Sequence, residues 1–180
     1  PPAYQEIRSL AGYEGVIREI VVNLKYHSDL GLLHAVAPLL AGLVQSEKWQ
    51  LDMVVPVPLS EKHYQQRGYN QAAVLAFPLA LRLGLPMRAR ALARIRETQS
   101  QVRLNRAQRK ANVQGAFLAD PLLVSGKRVL LVDDVFTTGA TLNAAAEALR
   151  SARCSDVRVL TLAQALDKSD AVEKEISIKV

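Results

Sequence analysis

The run Val129-Leu130-Leu131-Val132-Asp133-Asp134-Val135-Phe136-Thr137-Thr138-Gly139-Ala140-Thr141 passes from a continuous apolar segment through two acids into a turn rich in threonine and glycine. An uninterrupted apolar run of this length is expected of a parallel strand covered on both faces, so Lys127 to Val132 predicts a central strand. An Ala-rich helix should follow from Thr141 to Ser151, and a second strand from Val157 to Leu162. Strand, helix, strand at this spacing is a βαβ unit. Several such units make an α/β fold with a mainly parallel open sheet and helices on both faces.

Open sheets of this kind bind ligands beyond the carboxyl ends of their strands, which is where Asp133 and Asp134 are expected to sit. In the turn that follows, Thr137, Thr138, Gly139, Ala140 and Thr141 lead into a helix N-terminus. Backbone N–H groups there have no intrahelical acceptor and point at whatever lies in front of the helix. The threonine hydroxyls add donors, and Gly139 lets the main chain approach an anion closely. A phosphate on the threonine side and a diol on the acid side together fit a ribose 5-phosphate. A P-loop is excluded, since no Gly-Lys-Ser/Thr element follows a glycine-rich turn.

The whole run resembles the signature with which type I phosphoribosyltransferases bind phosphoribosyl pyrophosphate (PRPP). That resemblance implies that Asp133 and Asp134 bind the ribose hydroxyls and that residues 137–141 hold the 5′-phosphate. Purine-salvage members carry an acid where this chain has Thr137, so a hypoxanthine- or guanine-type reaction is disfavoured. The loop is closer to those of amidophosphoribosyltransferases.

Upstream, Val16, Ile17, Ile20, Val21 and Leu24 recur at helical spacing, which predicts a helix over Tyr13 to Tyr26. A second helix should run from Leu30 to Gln45 with Asp29 as its cap. Asp52 to Pro56 reads as a short buried strand, Arg67-Gly68-Tyr69-Asn70 as a turn, and Gln71 to Leu83 as a buried helix kinked at Pro78. Residues 1–48 would then form a small N-terminal helical hood and 49–166 the core, with 167–180 a tail or added edge strand.

Lys25-Tyr26, Val55-Pro56-Val57-Pro58-Leu59-Ser60, Arg67-Gly68-Tyr69-Asn70-Gln71 and Asn112-Val113-Gln114-Gly115-Ala116-Phe117 extend the match. With the spaced Arg94, Arg96, Thr98, Gln101 and Arg106, they make the chain similar to the ComF/GntX family, associated with competence for DNA uptake. The resemblance implies a pyrophosphate site at Leu59 and Ser60, with Arg67 as a side-chain donor. It also implies Mg²⁺ bridged by the PRPP phosphates, with no site fixed by protein ligands alone. The basic stretch from Arg94 to Lys110 is read as a lid that adds positive charge, so Asp133, Asp134, Arg94 and Arg106 are the expected catalytic residues. That family often carries a Cys-rich zinc ribbon ahead of this domain. The Pro1-Pro2-Ala3 start fits a piece of a longer protein.

Composition agrees with a globular domain, at 49% apolar and 22% charged residues, and no apolar run reaches membrane-spanning length. The single Cys154 excludes an internal disulfide and fits a reduced, cytoplasmic setting. His27, His34 and His63 lack ligand-like spacing. A net charge of +6, concentrated over residues 88–110, calls for an anionic partner. Three functions follow: transfer of a phosphoribosyl group to an unidentified acceptor, non-catalytic sensing of PRPP or a nucleotide, or binding of single-stranded DNA along the basic stretch. Competence proteins and a second copy of the chain are further expected partners, and the sequence names no acceptor.

Overall fold

The computed structural model describes residues 1–26, 30–97 and 112–165. In chain order the strands are β1 (Glu6–Gly12), β2 (Met53–Pro56), β3 (Leu92–Arg94), β4 (Phe117–Ala119), β5 (Arg128–Phe136) and β6 (Asp156–Gln164). The helices are α1 (Gly15–Tyr26), α2 (Leu30–Ser46), α3 (Glu61–Arg67), α4 (Gln71–Leu83), α5 (Pro121–Val124) and α6 (Ala140–Ser151). The main sheet has the order β1-β6-β5-β2, and every pairing in it is parallel. The result is an α/β open sheet flanked by helices, the fold class that the sequence predicts.

Residues alternate along β5 and β6, and the two faces feed different cores. Val129, Leu131, Val157 and Val159 pack with Leu142, Ala145 and Leu149 of α6. Leu130, Val132, Leu160 and Leu162 pack instead with Val21 and Leu24 of α1, Leu40 of α2, and Leu75 and Leu79 of α4. Leu130, Leu131 and Leu160 are fully buried. Truncating any of them to alanine would cost about 2–5 kcal/mol.

Several elements differ from the sequence expectation. Glu6–Gly12 is a strand pairing with β6 along its length, so the N-terminal segment supplies a sheet edge as well as two helices. Its Glu6, Arg8 and Ser9 break the apolar run that announces a buried strand, because this one lies at the sheet margin. The turn expected at Arg67-Gly68 is the end of α3, a helix the sequence does not announce: none of its residues is buried, and its ends are fixed by Ser60 as N-cap and Gly68 as a left-handed C-cap. β5 runs on through Asp133 and Asp134 to Phe136 instead of ending at Val132. α4 has the predicted bounds and is helical through Pro78. The cap expected at Asp29, the polar helix and lid expected around Arg106, and the tail lie outside the described residues. None of the helices among the described residues is long and apolar enough to cross a membrane.

Candidate functional site

Beyond the carboxyl ends of β2 and β5 lies a cleft of about 190 Å³. One wall is the segment after β2, where Val57, Pro58 and Leu59 lead into α3. The opposite wall is the end of β5, with Asp133 and Asp134, followed by Thr141 in the first turn of α6. Arg67 from the end of α3, Arg94 from the end of β3, and Lys25 from the last turn of α1 bring positive charge to the same space. Two larger surface hollows, one around Phe117 and Leu122 and one around Tyr64 and Phe77, contain neither acid.

Consecutive residues of a strand face opposite ways, so the two acids meet different surroundings. Asp134 is buried, and its Oδ2 lies 3.0 Å from Lys25 Nζ while its Oδ1 accepts from the Val135 N–H at 2.9 Å. Asp133 Oδ1 accepts from the Asp134 N–H at 2.9 Å. Burial, and then the adjacent Asp134 charge, push the Asp133 carboxyl well above its ordinary range. Two close carboxyls of which one readily holds a proton are suited to accept from one hydroxyl and donate to, or accept from, another.

The turn between β5 and α6 has a backbone that only glycine adopts comfortably at its centre. Gly139 has φ +74°, and a Cβ there would sit 2.8 Å from Phe136 Cε2 and 3.3 Å from Tyr4 Oη. Asn143 Oδ1, one turn into α6, accepts from the Ala3 N–H at 2.8 Å, so the segment ahead of β1 braces this helix start. Thr138 Oγ1 is buried without a hydrogen-bond partner among the described residues. A buried hydroxyl of this kind, at the start of a helix, is a donor suited to an anion. Thr137, Thr138, Gly139 and Ala140 form this turn, while Thr141 is the member that lines the cleft.

On the facing wall, Ser60 is buried and its hydroxyl is occupied by α3, meeting His63 Nδ1 at 2.8 Å and the His63 N–H at 3.4 Å. Its side chain therefore caps a helix, and what it can offer an anion is main chain. Burial, with Arg67 and Arg94 nearby, holds the His63 ring below its ordinary range. Arg67 donates to Gln71 Oε1 at 3.0 Å, and the Arg94 guanidinium sits 5.5 Å over the Phe117 ring. Burial lowers Arg94 from its usual value, against the pull of Glu97 and Asp133. Arg96 turns away and donates to the carbonyls of Asn112 and Gln114 at 3.0 and 2.6 Å. Arg106 lies outside the described residues.

Of the residues predicted from sequence, the cleft brings together Leu59, Arg67, Arg94, Asp133, Asp134 and Thr141. Lys25, His63 and Gln71 join them without having been assigned a role. Lys25 and Gln71 stood inside family-specific motifs, which was the one signal that could have marked them.

A parallel sheet whose strand β5 carries two adjacent acids near its carboxyl end, faced across the cleft by Lys25, Arg67 and Arg94, defines a phosphoribosyltransferase-type domain. The profile of the phosphoribosyl transferase domain matches residues 25–179. The chain belongs to that family, among its ComF-type members. It is 34% identical to the DNA utilization protein YhgH of Salmonella typhimurium over 171 residues, covering 92% of this chain and 75% of that protein. It is 31% identical to Competence protein F of Haemophilus influenzae over 174 residues, covering 91% of this chain and 75% of that one. Among solved structures, the glutamine PRPP amidotransferase from B. subtilis superposes with a TM-score of 0.53 at 23% identity, over 78% of this chain. The match spans 30% of that larger chain and establishes the shared fold.

Proposed function

We propose that the cleft binds PRPP and that the chain transfers its phosphoribosyl group to an acceptor, in the service of DNA handling during competence. The observation that carries this reading is the pairing of Asp133 and Asp134 with Arg67 and Arg94 across one strand-end cleft. Two acids suit the 2′- and 3′-hydroxyls of a ribose, and the cations suit a diphosphate. In this arrangement the 137–141 turn holds the 5′-phosphate, and the main chain at Leu59 and Ser60 with Arg67 holds the diphosphate. The C1′–O bond breaks with its electron pair leaving on pyrophosphate, and the acceptor's lone pair forms the new bond at C1′. Arg94 stabilises the charge that gathers on the leaving group. The names of the relatives, DNA utilization and competence proteins, support the biological setting.

Mg²⁺ fits this site as an ion delivered with the diphosphate. Asp133 and Asp134 are the hard oxygen donors at hand, and among the described residues no three His, Cys, Asp or Glu side chains converge to hold a metal alone. Its contribution when bound is to neutralise phosphate charge.

Calorimetric titration of PRPP with Mg²⁺ into the native chain and into an Asp133→Asn/Asp134→Asn variant tests the binding step. Heat that is present in the first and absent in the second supports the site. Pyrophosphate release with candidate acceptors then separates an enzyme from a sensor that binds PRPP without turning it over. A native chain that ignores PRPP but retains single-stranded DNA with steep salt dependence would replace this reading with nucleic-acid binding.

A further inference from the structure

The Arg67-Gly68-Tyr69-Asn70-Gln71 element is a junction at which three parts of the cleft are tied together. Arg67 reaches into the cleft and is braced by Gln71 at 3.0 Å. Asn70 caps α4 through the Ala72 N–H at 3.0 Å, while its Nδ2 donates to the Val57 carbonyl at 2.9 Å and so fixes the loop after β2. Tyr69 points elsewhere. Its hydroxyl donates to the carbonyl of Leu24 at 2.5 Å, in the last turn of α1. The next residue is Lys25, whose ammonium meets Asp134 at 3.0 Å.

Lys25 thus reaches the cleft from a helix of the opposite end of the chain, and the tyrosine bond holds the turn that carries it. An ammonium has three donors, and Asp134 engages it through one oxygen. The Lys25 side chain is 25% exposed and lines the space shared with Leu59, Arg67 and Arg94. A merely structural ion pair has no need of that opening. A cation here balances Asp134 and at the same time adds to the basic wall that faces a polyanion.

We infer that Lys25 is a diphosphate-binding residue supplied by the N-terminal helix, and that Tyr69 is the positioning residue that aims it. The inference rests on the PRPP reading of the cleft and deepens it. A Lys25→Met variant should lose roughly tenfold to a hundredfold in PRPP affinity, as expected for a charge-assisted contact. Its affinity for ribose 5-phosphate, which lacks the diphosphate, should fall less, by the share that Lys25 contributes through Asp134 alone. Lys25→Arg should restore much of the PRPP affinity. Tyr69→Phe should weaken PRPP binding in the native background and add almost nothing to Lys25→Met, which a double-mutant cycle measures.

The experiment is calorimetry of PRPP and of ribose 5-phosphate on the native chain and these variants, with melting curves to establish that each is folded. Equal losses for both ligands in Lys25→Met, or an undiminished PRPP affinity, would overturn the assignment of Lys25. Additive effects of the two substitutions would overturn the role of Tyr69. A native chain that binds neither ligand overturns the cleft reading itself, which separates that failure from this one. Should Lys25→Met not fold, Lys25→Gln and the Tyr69→Phe cycle built on it take its place.

Discussion

The Asp52 carboxylate holds Arg128 at three points, accepting from its main-chain N–H at 2.8 Å, from Nε at 3.1 Å and from Nη2 at 2.7 Å. The two residues stand at the starts of β2 and β5, whose far ends frame the cleft, and their grip fixes the register in which Met53 faces Val129. The side-chain and main-chain hydrogen bonds from Arg128 lower Asp52 from 3.8 to about 2. A carboxylate depressed in the folded state stabilises above its unfolded value, and that stabilisation is lost as pH falls through the folded one. Asp52→Asn should melt a few degrees below the native chain at neutral pH. The gap should hold down to about pH 4 and close toward pH 2, as followed by melting curves across that range.

Gly139→Ala should damage both stability and binding. Its φ of +74° and the 2.8 Å approach to Phe136 are independent penalties, and the strain amounts to about 1–3 kcal/mol. Shortening Phe136 to leucine relieves the clash and leaves the backbone strain. The double variant should therefore recover only part of the stability in urea denaturation, and none of the lost PRPP affinity.

Asn70 separates two jobs that a single substitution can divide. Asn70→Asp keeps an oxygen for the Ala72 N–H and so keeps the cap on α4, but it loses the donor to the Val57 carbonyl. PRPP affinity should fall with helicity by circular dichroism unchanged. Asn70→Ala forfeits the cap as well and should cost about 1 kcal/mol more in stability.

His63 offers a direct report of anion entry. Burial comes first among the causes that depress it, with Arg67 and Arg94 next and Lys62 minor, while Glu97 acts in the other direction. Its imidazole should titrate below 6.5 in the free protein, observed by proton NMR. Inorganic pyrophosphate placed against Arg67 and Arg94 offsets their charge, so the midpoint should rise on binding. Proton uptake then accompanies binding, and affinity should increase as pH falls through the histidine range. A midpoint indifferent to pyrophosphate would argue against an anion on this wall.

The βαβ unit around β5 was legible because its signal is local: four apolar residues in succession, then acids, then a glycine turn. The chemistry of the acids and the turn suggests a diol beside a phosphate, and the resemblance gives each residue its expected part. β1 was not legible, because a marginal strand carrying Glu6, Arg8 and Ser9 has no uniform apolar face to display. α3 is invisible because none of its residues is buried and its two caps hold it. Lys25 could not be placed in the cleft from sequence, since one lysine at the end of an amphipathic helix is ordinary. What gives it meaning is a contact with a residue more than a hundred positions away.

The continuation of β5 through both acids has a mechanical consequence. A pair of carboxylates in a loop could drift apart as the loop moves. Carried on a strand whose pairing with β6 runs from Arg128 to Phe136, Asp133 and Asp134 are anchored in the sheet, and both line the one cleft. An occupant that engages both therefore meets a rigid jaw, and the acids need no ordering as it enters.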